Sequence, residues 1–291
     1  MSVAAKGLNL ANKHGLSRDI PAAVKLAVRQ RDGFGCVVCG NAVIEYEHFD
    51  PEFADATVHD PSGIILLCIS CHARKTRGLL SRETVAKAAA SPKAKEVGFS
   101  HGPFDLGSDV PEVVLGNIAI RNTPVLIRVD GDELLSVRAP EVEGGPFRLS
   151  AYLTDGRGRL QLAIVDNEWQ SPTSNWDVSL VGQRITIRSG VRDIALVLRS
   201  DPPNRLIVER LKLAHRALQI QCQLNRPTRF FVGSSTELET YSAEIDGCEV
   251  GIEIVDQSIG IGRGGSVKLS MTINPSHDAA PVSNVIPLFR E

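Results

Sequence analysis

The sequence predicts an α+β protein in two parts, a small N-terminal domain with helices and an all-β domain that follows it. Residues 36–71 contain two Cys-x-x-Cys pairs, whereas from about Val113 onward the chain consists of short runs in which apolar and polar residues alternate. Between these parts, residues 91–111 are rich in glycine, proline and serine, which is typical of a linker. The expected domains therefore cover residues 1–90 and 112–274.

The N-terminal domain is predicted to place short helices and strands around the cysteines. Residues 1–17 are expected to be loose. Pro21 suits the first turn of a helix that should end near the Asp-Gly pair at 32–33. The segments NAVIEY and IILL are strand-like, HARKTRG suits a short helix, and Ser81 can cap another helix that runs to about Ala90.

The all-β domain is predicted from two-residue alternation in runs such as VLIRV, RITIR and LQIQCQL, separated by turn signals such as VDGD and DPPN. This pattern leaves a β-sandwich and a β-solenoid open. We favour a solenoid-like stack, because GQRITIRSGVRDIALVL and RALQIQCQL resemble successive short rungs, although no strict repeat is present. Residues 275–291 are expected to form a flexible tail.

Composition limits the function classes. The 291 residues carry a net charge of −2, but residues 1–100 hold 13 Lys and Arg against 10 Asp and Glu. This mild excess favours a nucleic-acid partner only weakly, since dedicated DNA-binding domains are usually far more basic. The N-terminus lacks the pattern of a signal peptide and no run of about 18 apolar residues occurs, so we expect a cytoplasmic protein with no membrane partner.

The cysteine pairs predict a structural zinc site. The spacing is C-x2-C-x28-C-x2-C, and each pair can place two thiolates on one tight turn. A redox Cys-x-x-Cys and a chance occurrence are the weaker alternatives. The predicted zinc ligands are Cys36, Cys39, Cys68 and Cys71.

Further motifs surround these cysteines. The order CxxCG, then Glu47-His48 followed by Pro51, then LLCxxCHxxKT resembles the zinc-bound HNH endonucleases over about residues 20–80. The resemblance implies a ββα-metal finger, in which a hairpin and a helix hold a divalent ion at the scissile phosphate of DNA. The residues from Val113 onward resemble no named family.

The resemblance implies a role for each matching residue. His48 would be the general base, which suits an imidazole because its pKa lies near neutral. Glu47 and His72 would bind the catalytic ion, Mg²⁺ or Mn²⁺, which would polarise the phosphate and stabilise the leaving 3′ oxygen. The expected products carry 5′-phosphate and 3′-hydroxyl ends.

One position departs from the pattern of this family. The asparagine that orients the catalytic histidine should lie nine residues before the last histidine, where this chain has Gly63. Among the nearby residues His59, Asp60 and Ser62, we favour His59 as the substitute. The departure leaves a catalytically inactive variant open.

Basic residues near the motif are candidates for phosphate contacts, which add salt-dependent affinity without sequence preference. As a group near the metal they favour DNA binding, whereas any one of them is as well explained as a solvated charge. These predicted nucleic-acid contacts are Arg29, Arg31, Arg74, Lys75 and Arg77.

The sequence therefore predicts a metal-dependent DNA endonuclease whose β domain serves in targeting, sensing or oligomerisation. Roles in phage defence rest on analogy at the level of the fold. One alternative is a catalytically silent, zinc-stapled nucleic-acid-binding module whose β domain binds a ligand or partner. Another is a structural β protein with a zinc-stapled cap. A homo-oligomer is compatible with each of these, but no motif indicates one.

Overall fold

The computed structural model describes residues 11–216, 218–233, 236–256 and 258–275. Its contacts divide the chain into two compact units, an N-terminal unit (Met1–Ser100) and a C-terminal unit (His101–Glu291). Within the described ranges, no helix has the length and apolar character needed to cross a membrane.

In the described part of the N-terminal unit, four α-helices and the 3₁₀ helix Pro61–Gly63 accompany one β-hairpin. Pro21 precedes the first helix and Gly33 ends it in the left-handed conformation, as the sequence predicts; the side chains of Cys68 and Ser81 cap the second and third helices. The elements are helices α1 (Ala22–Asp32), α2 (Ile69–Thr76), α3 (Arg82–Ala90) and α4 (Lys93–Val97), and strands β1 (Ile44–His48) and β2 (Ile64–Cys68).

Strands β1 and β2 pair antiparallel, with Glu47 opposite Ile65, and α2 follows β2 directly. All five residues of β2 are buried, which explains its continuous apolar run IILL. Strand β1 begins later than the predicted NAVIEY segment, because the side chain of Asn41 accepts a hydrogen bond from the Val43 amide and forms a turn. The hairpin and helix place β1 against α2.

Two of the predicted irregular segments contain more structure than expected. Residues 91–111 include α4 and strand β3 (Phe99–Pro103), because Pro92 begins the helix and Gly98 ends it. The described part of the predicted loose segment 1–17 is anchored, since the Asn12 side chain donates to the Phe53 and Ala56 carbonyls at 2.6 and 2.7 Å. Residues 1–10 and 276–291, the latter holding almost all of the predicted tail, lie outside the described residues.

The C-terminal unit is mostly β, as predicted, and its strands form two sheets. The remaining strands are β4 (Glu112–Leu115), β5 (Ile118–Arg121), β6 (Val125–Val129), β7 (Asp132–Arg138), β8 (Arg148–Thr154), β9 (Leu160–Val165), β10 (Glu168–Pro172), β11 (Asp177–Val181), β12 (Arg184–Gly190), β13 (Asp193–Asp201), β14 (Arg205–His215), β15 (Leu218–Gln223), β16 (Thr228–Val232), β17 (Thr236–Asp246), β18 (Val250–Val255), β19 (Ser258–Arg263) and β20 (Ser266–Pro275).

One sheet has eight strands in the order β19-β18-β6-β7-β8-β9-β10-β3, and the other has ten. In the second sheet the hairpins β15-β16 and β4-β5 lie end to end between two long strands, because β14 pairs with β4 along its first half and with β15 along its second. Strand β17 pairs in the same way, first with β16 and then with β5.

This pairing does not support the solenoid that we favoured from the sequence. Most neighbours in the described sheets are consecutive and antiparallel, including β12 with β13 and β14 with β15, whereas solenoid rungs pair in parallel. Short alternating runs separated by turns are equally compatible with antiparallel meanders. The two sheets meet at β8 and β14, where the Thr154 hydroxyl donates to the Ala214 carbonyl.

Candidate metal and active site

The four predicted zinc ligands come together in the N-terminal unit. The sulfur atoms of Cys36, Cys39, Cys68 and Cys71 all lie within 4.8 Å of one another, and the Sγ atoms of Cys39 and Cys68 are 3.7 Å apart. A tetrahedral zinc ion with Zn–S bonds of about 2.3 Å separates its sulfurs by about 3.8 Å. The cluster can therefore hold a metal ion such as zinc.

Tight turns hold each sulfur pair. After Cys36, Gly40 adopts a left-handed φ of 82° and its amide donates to the Cys36 carbonyl at 2.7 Å. A side chain at Gly35 would lie 2.4 Å from the Gly40 carbonyl oxygen, so this turn needs glycine at position 35 as well. At the second pair, the Cys71 amide donates to the Cys68 sulfur at 3.4 Å, which is the cap of α2.

The pKa values of these thiols are those of a site that needs a cation before all four can ionise. A hydrogen bond from Cys39 lowers the pKa of Cys36 to about 5. Burial and the neighbouring sulfurs raise the pKa of Cys71 to about 12. One thiolate is therefore stabilised by the others, whereas four adjacent thiolates need a positive ion.

Glu47 and His72 meet at the interface of β1 and α2. The His72 Nε2 lies 3.1 Å from the Glu47 Oε2, and the His72 Nδ1 lies 2.6 Å from the Glu45 Oε2. When Nδ1–H donates to Glu45, Nε2 presents a lone pair toward the Glu47 carboxylate. Two acceptor atoms about 3.0 Å apart match adjacent ligands of an octahedral ion with bonds of about 2.1 Å.

Lys75 shares this interface. Its Nζ donates to the Glu47 Oε1, and its side chain is only 16% exposed. Lys75 and His72 are three residues apart in α2, so both face β1. In this arrangement the predicted phosphate contact Lys75 is an ion-pair partner of the predicted metal ligand Glu47.

His48 lies at the end of β1 beside His59. The His48 Nε2 is 3.1 Å from the His59 Nδ1, and the His48 ring packs edge-on against Phe53. Burial, and to a smaller extent the electrostatic effect of the adjacent His59 ring, lowers the pKa of His48 below its usual value. His59, the predicted substitute for the asparagine, thus lies within hydrogen-bond distance of His48.

Gly63 holds the loop that follows β1 through hydrogen bonds of its backbone. Its carbonyl accepts hydrogen bonds from the Phe49 and Asp50 amides at 2.8 and 3.1 Å. A Cβ at position 63 would lie 2.2 Å from the Asp50 carbonyl oxygen, so no side chain fits there without movement of the loop. An asparagine at this position is incompatible with the loop as it is folded here.

An open cleft of about 310 Å³ exposes Glu47 and His48 to solvent. Its polar walls include Glu47, His48 and Lys75, and the apolar or aromatic part is formed mainly by Tyr46 and Phe53. Arg18 also lines the cleft, with its guanidinium 4.5 Å from the centre of the Phe53 ring. The predicted general base and one predicted metal ligand therefore face a common opening.

The other predicted phosphate contacts differ in how they are engaged. Arg29 donates to the Tyr46 hydroxyl at 2.7 Å, and Arg31 donates to Asp32 and to the carbonyls of Pro61 and Ile64. Arg31 thus links α1 to the hairpin. Arg74 and Arg77 are exposed, and the described part of the chain offers neither of them a side-chain hydrogen bond or an ion pair.

Sequence reasoning missed two residues of this site. Glu45 contacts His72, and its position two residues before Glu47 on a strand was the available signal, since such residues share a face. Arg18 precedes α1 and carries no motif, so only the fold brings it to the cleft.

Comparison of the chain with protein-family models, with curated proteins and with solved structures gives no match. The resemblance to HNH endonucleases therefore rests on the motif residues and is not supported by a family match.

Proposed function

We propose that this chain is a metal-dependent endonuclease of the HNH type that hydrolyses phosphodiester bonds in DNA. The observation that carries the proposal is the approach of the Glu47 Oε2 to the His72 Nε2, 3.1 Å apart, together with the position of Glu47 and His48 in the wall of one cleft. A closed zinc site needs none of these three residues.

The two metal sites have different tasks in this proposal. Cys36, Cys39, Cys68 and Cys71 bind a structural zinc ion that ties the turn after α1 to the start of α2. Glu47 and His72 hold Mg²⁺ or Mn²⁺, and Glu45 orients the His72 ring through Nδ1. When bound, this ion polarises the phosphate and stabilises the leaving 3′ oxygen.

His48 acts as the general base. With its Nε2–H donated to the His59 Nδ1, the His48 Nδ1 can accept a proton from the attacking water. The water oxygen bonds to phosphorus as the bond to the 3′ oxygen breaks, which leaves 5′-phosphate and 3′-hydroxyl ends. His59 fixes the ring in place of the asparagine of the resembled family.

The exposed cations Arg74 and Arg77 follow His72 along the chain and are suited to phosphates that flank the cut. For the C-terminal unit we propose targeting, sensing or oligomerisation, with DNA, a ligand or a second copy as partner. A cytoplasmic location fits this role.

Plasmid DNA incubated with Mg²⁺ or Mn²⁺ tests the proposal. We expect nicking by the full chain and a loss of about 10²- to 10⁴-fold in rate for His48→Ala. The matched control is His14→Ala, because His14 lies on the exposed surface and outside the cleft. Zinc content is measured for each variant. Absence of cleavage with every divalent ion, or equal cleavage by His48→Ala, would contradict the proposal.

A second candidate is a catalytically silent module that binds nucleic acid. It is favoured by the ion pair between Lys75 and Glu47, in which an ammonium group occupies part of the carboxylate that would bind the metal. This candidate predicts DNA binding without cleavage, and equal affinity for wild type and His48→Ala. Gel-shift titration of both proteins in Mg²⁺ separates the two candidates.

A further inference from the structure

Arg18 differs from the other charged residues that line the cleft. Lys75 is paired with Glu47, and Glu52 lies 3.5 Å from Arg82. Across the residues that the structure describes, Arg18 has no carboxylate within ion-pair distance, and its guanidinium lies over the Phe53 ring. The cleft therefore presents one cation whose charge is not neutralised.

The segment that carries Arg18 is held on both sides. Asn12 fixes it to the carbonyls of Phe53 and Ala56, and Lys13 pairs with Asp55. On the other side, Ile20 is buried in a cluster with Val28 of α1 and residues of β2. Arg18 is thus held at the cleft by contacts that precede and follow it, which reduces the entropy lost when it binds a ligand.

The guanidinium has the properties of a phosphate ligand. It is planar and always charged, and it can donate two parallel hydrogen bonds to phosphate oxygens. The Cζ atom of Arg18 lies 4.5 Å from the centre of the Phe53 ring, and no carboxylate of the described residues lies within ion-pair distance of the guanidinium, so its nitrogens remain available to a phosphate. The Phe53 ring also contacts His48, so the cation and the proposed base are placed by the same aromatic side chain.

We propose that Arg18 binds a backbone phosphate of DNA in this cleft, adjacent to the bond that His48 and the metal ligands act on. The inference rests on the proposed function for the identity of the ligand. Arg18 is a phosphate-binding residue in addition to those predicted from the motif.

The test measures DNA binding in a His48→Ala background, so that the DNA stays intact in Mg²⁺. A fluorescent duplex is titrated at several salt concentrations with His48→Ala and with His48→Ala/Arg18→Ala. We expect the second substitution to weaken binding by about tenfold and to reduce the slope of log Kd against log salt by about one. Arg18→Lys, which keeps the charge, should recover the slope.

Arg82→Ala is the matched control. Arg82 is also an arginine beside a phenylalanine, with its Cζ atom 4.7 Å from the centre of the Phe49 ring, but it does not line the cleft. It should leave the salt slope unchanged. Zinc content and the thermal midpoint of each variant show whether the fold is retained. If Arg18 had only a structural role, its replacement would not alter the slope of log Kd against log salt.

The outcomes separate this inference from the proposed function. If the wild type cuts DNA but Arg18→Ala leaves Kd, the salt slope and KM unchanged, the phosphate contact is refuted and the nuclease proposal stands. If no metal supports cleavage but the slope still falls by about one, the contact stands and the nuclease proposal fails. A chain that neither binds nor cuts DNA refutes both.

Discussion

At the scale of the residue, Gly63 shows how a departure from a motif can have a local physical cause. The Asp50 carbonyl oxygen occupies the space that a side chain would need, and the Gly63 carbonyl accepts two amide hydrogen bonds from the same loop. A backbone carbonyl thus holds this loop, and the His59 Nδ1 lies within hydrogen-bond distance of the His48 Nε2. An asparagine introduced at this position should therefore destabilise this chain.

We expect Gly63→Asn to destabilise the N-terminal unit by about 1–3 kcal/mol, the usual cost of overpacking. Urea unfolding of the zinc-loaded protein measures this change. The control is Gly156→Ala, since that glycine has open space around its Cβ position and no left-handed φ. A gain in cleavage with unchanged stability would show that the loop accommodates asparagine.

Glu45→Gln tests how His72 is oriented. The amide still fits beside the His72 Nδ1 but lacks the charge, so we expect about 10- to 100-fold weaker metal affinity or activity. The measurement is the Mn²⁺ concentration for half-maximal nicking. Glu83→Gln, an exposed position on α3, is the control. Identical Mn²⁺ dependence in both variants would remove Glu45 from the site.

The sequence was sufficient to predict the cysteine cluster, because the spacing of its residues is typical of metal ligands. The two Cys-x-x-Cys pairs predict that their sulfur atoms lie together, because a single closed zinc site accounts for both pairs. In the structure the four sulfurs do converge. Glu45 and Arg18 could not be assigned in the same way. Their roles depend on which helix faces β1 and on how the segment before α1 brings Arg18 to the cleft. Such tertiary contacts leave no pattern in the local sequence.

At the scale of the element, the order β1-β2-α2 joins the two candidate sites. Cys68 caps α2 with its sulfur, and His72 and Lys75 lie on the face of the same helix that meets β1. The start of α2 is therefore fixed by the cysteine cluster, and its first turns carry the side chains that face Glu47. Loss of the cluster should disturb both sites.

We expect Cys36→Ser to lose bound zinc and the cooperative unfolding of the N-terminal unit, because zinc in such sites contributes roughly 10–16 kcal/mol of apparent binding free energy to folding. Zinc content and circular dichroism measure the change. Cys248→Ser is the control, since Cys248 is buried in the C-terminal unit and lies outside the cluster. Full zinc content in Cys36→Ser would contradict the assignment.

At the scale of the whole molecule, each unit has its own buried residues. The N-terminal unit holds two small clusters that include Val37, Leu67 and Ile64, whereas the strands of the C-terminal unit bury Trp169 and Phe230 completely. The contacts divide the chain after Ser100, within the segment 91–111 that the sequence suggests as a linker. Sheet order was beyond the sequence, because antiparallel meanders and stacked rungs share the same strand spacing.

Since every cysteine of the cluster lies in the N-terminal unit, metal removal should affect that unit alone. We expect calorimetry of the full chain to show two transitions and a strong chelator to abolish one of them. Readdition of zinc should restore it. Simultaneous loss of both transitions would show that the C-terminal unit depends on the metal.

The two hairpins that lie end to end in the ten-stranded sheet have a consequence for biosynthesis. Strands β4 and β5 emerge early from the ribosome, yet Ile118 pairs with Ala243 and Val113 pairs with Leu206. The edges of this hairpin cannot pair until β14 and β17 have been made, so it stays without its neighbours while residues 122–204 are synthesised. Translation that stops before β17 would leave a sheet with a gap, which is a substrate for chaperones and proteases rather than a shorter folded protein.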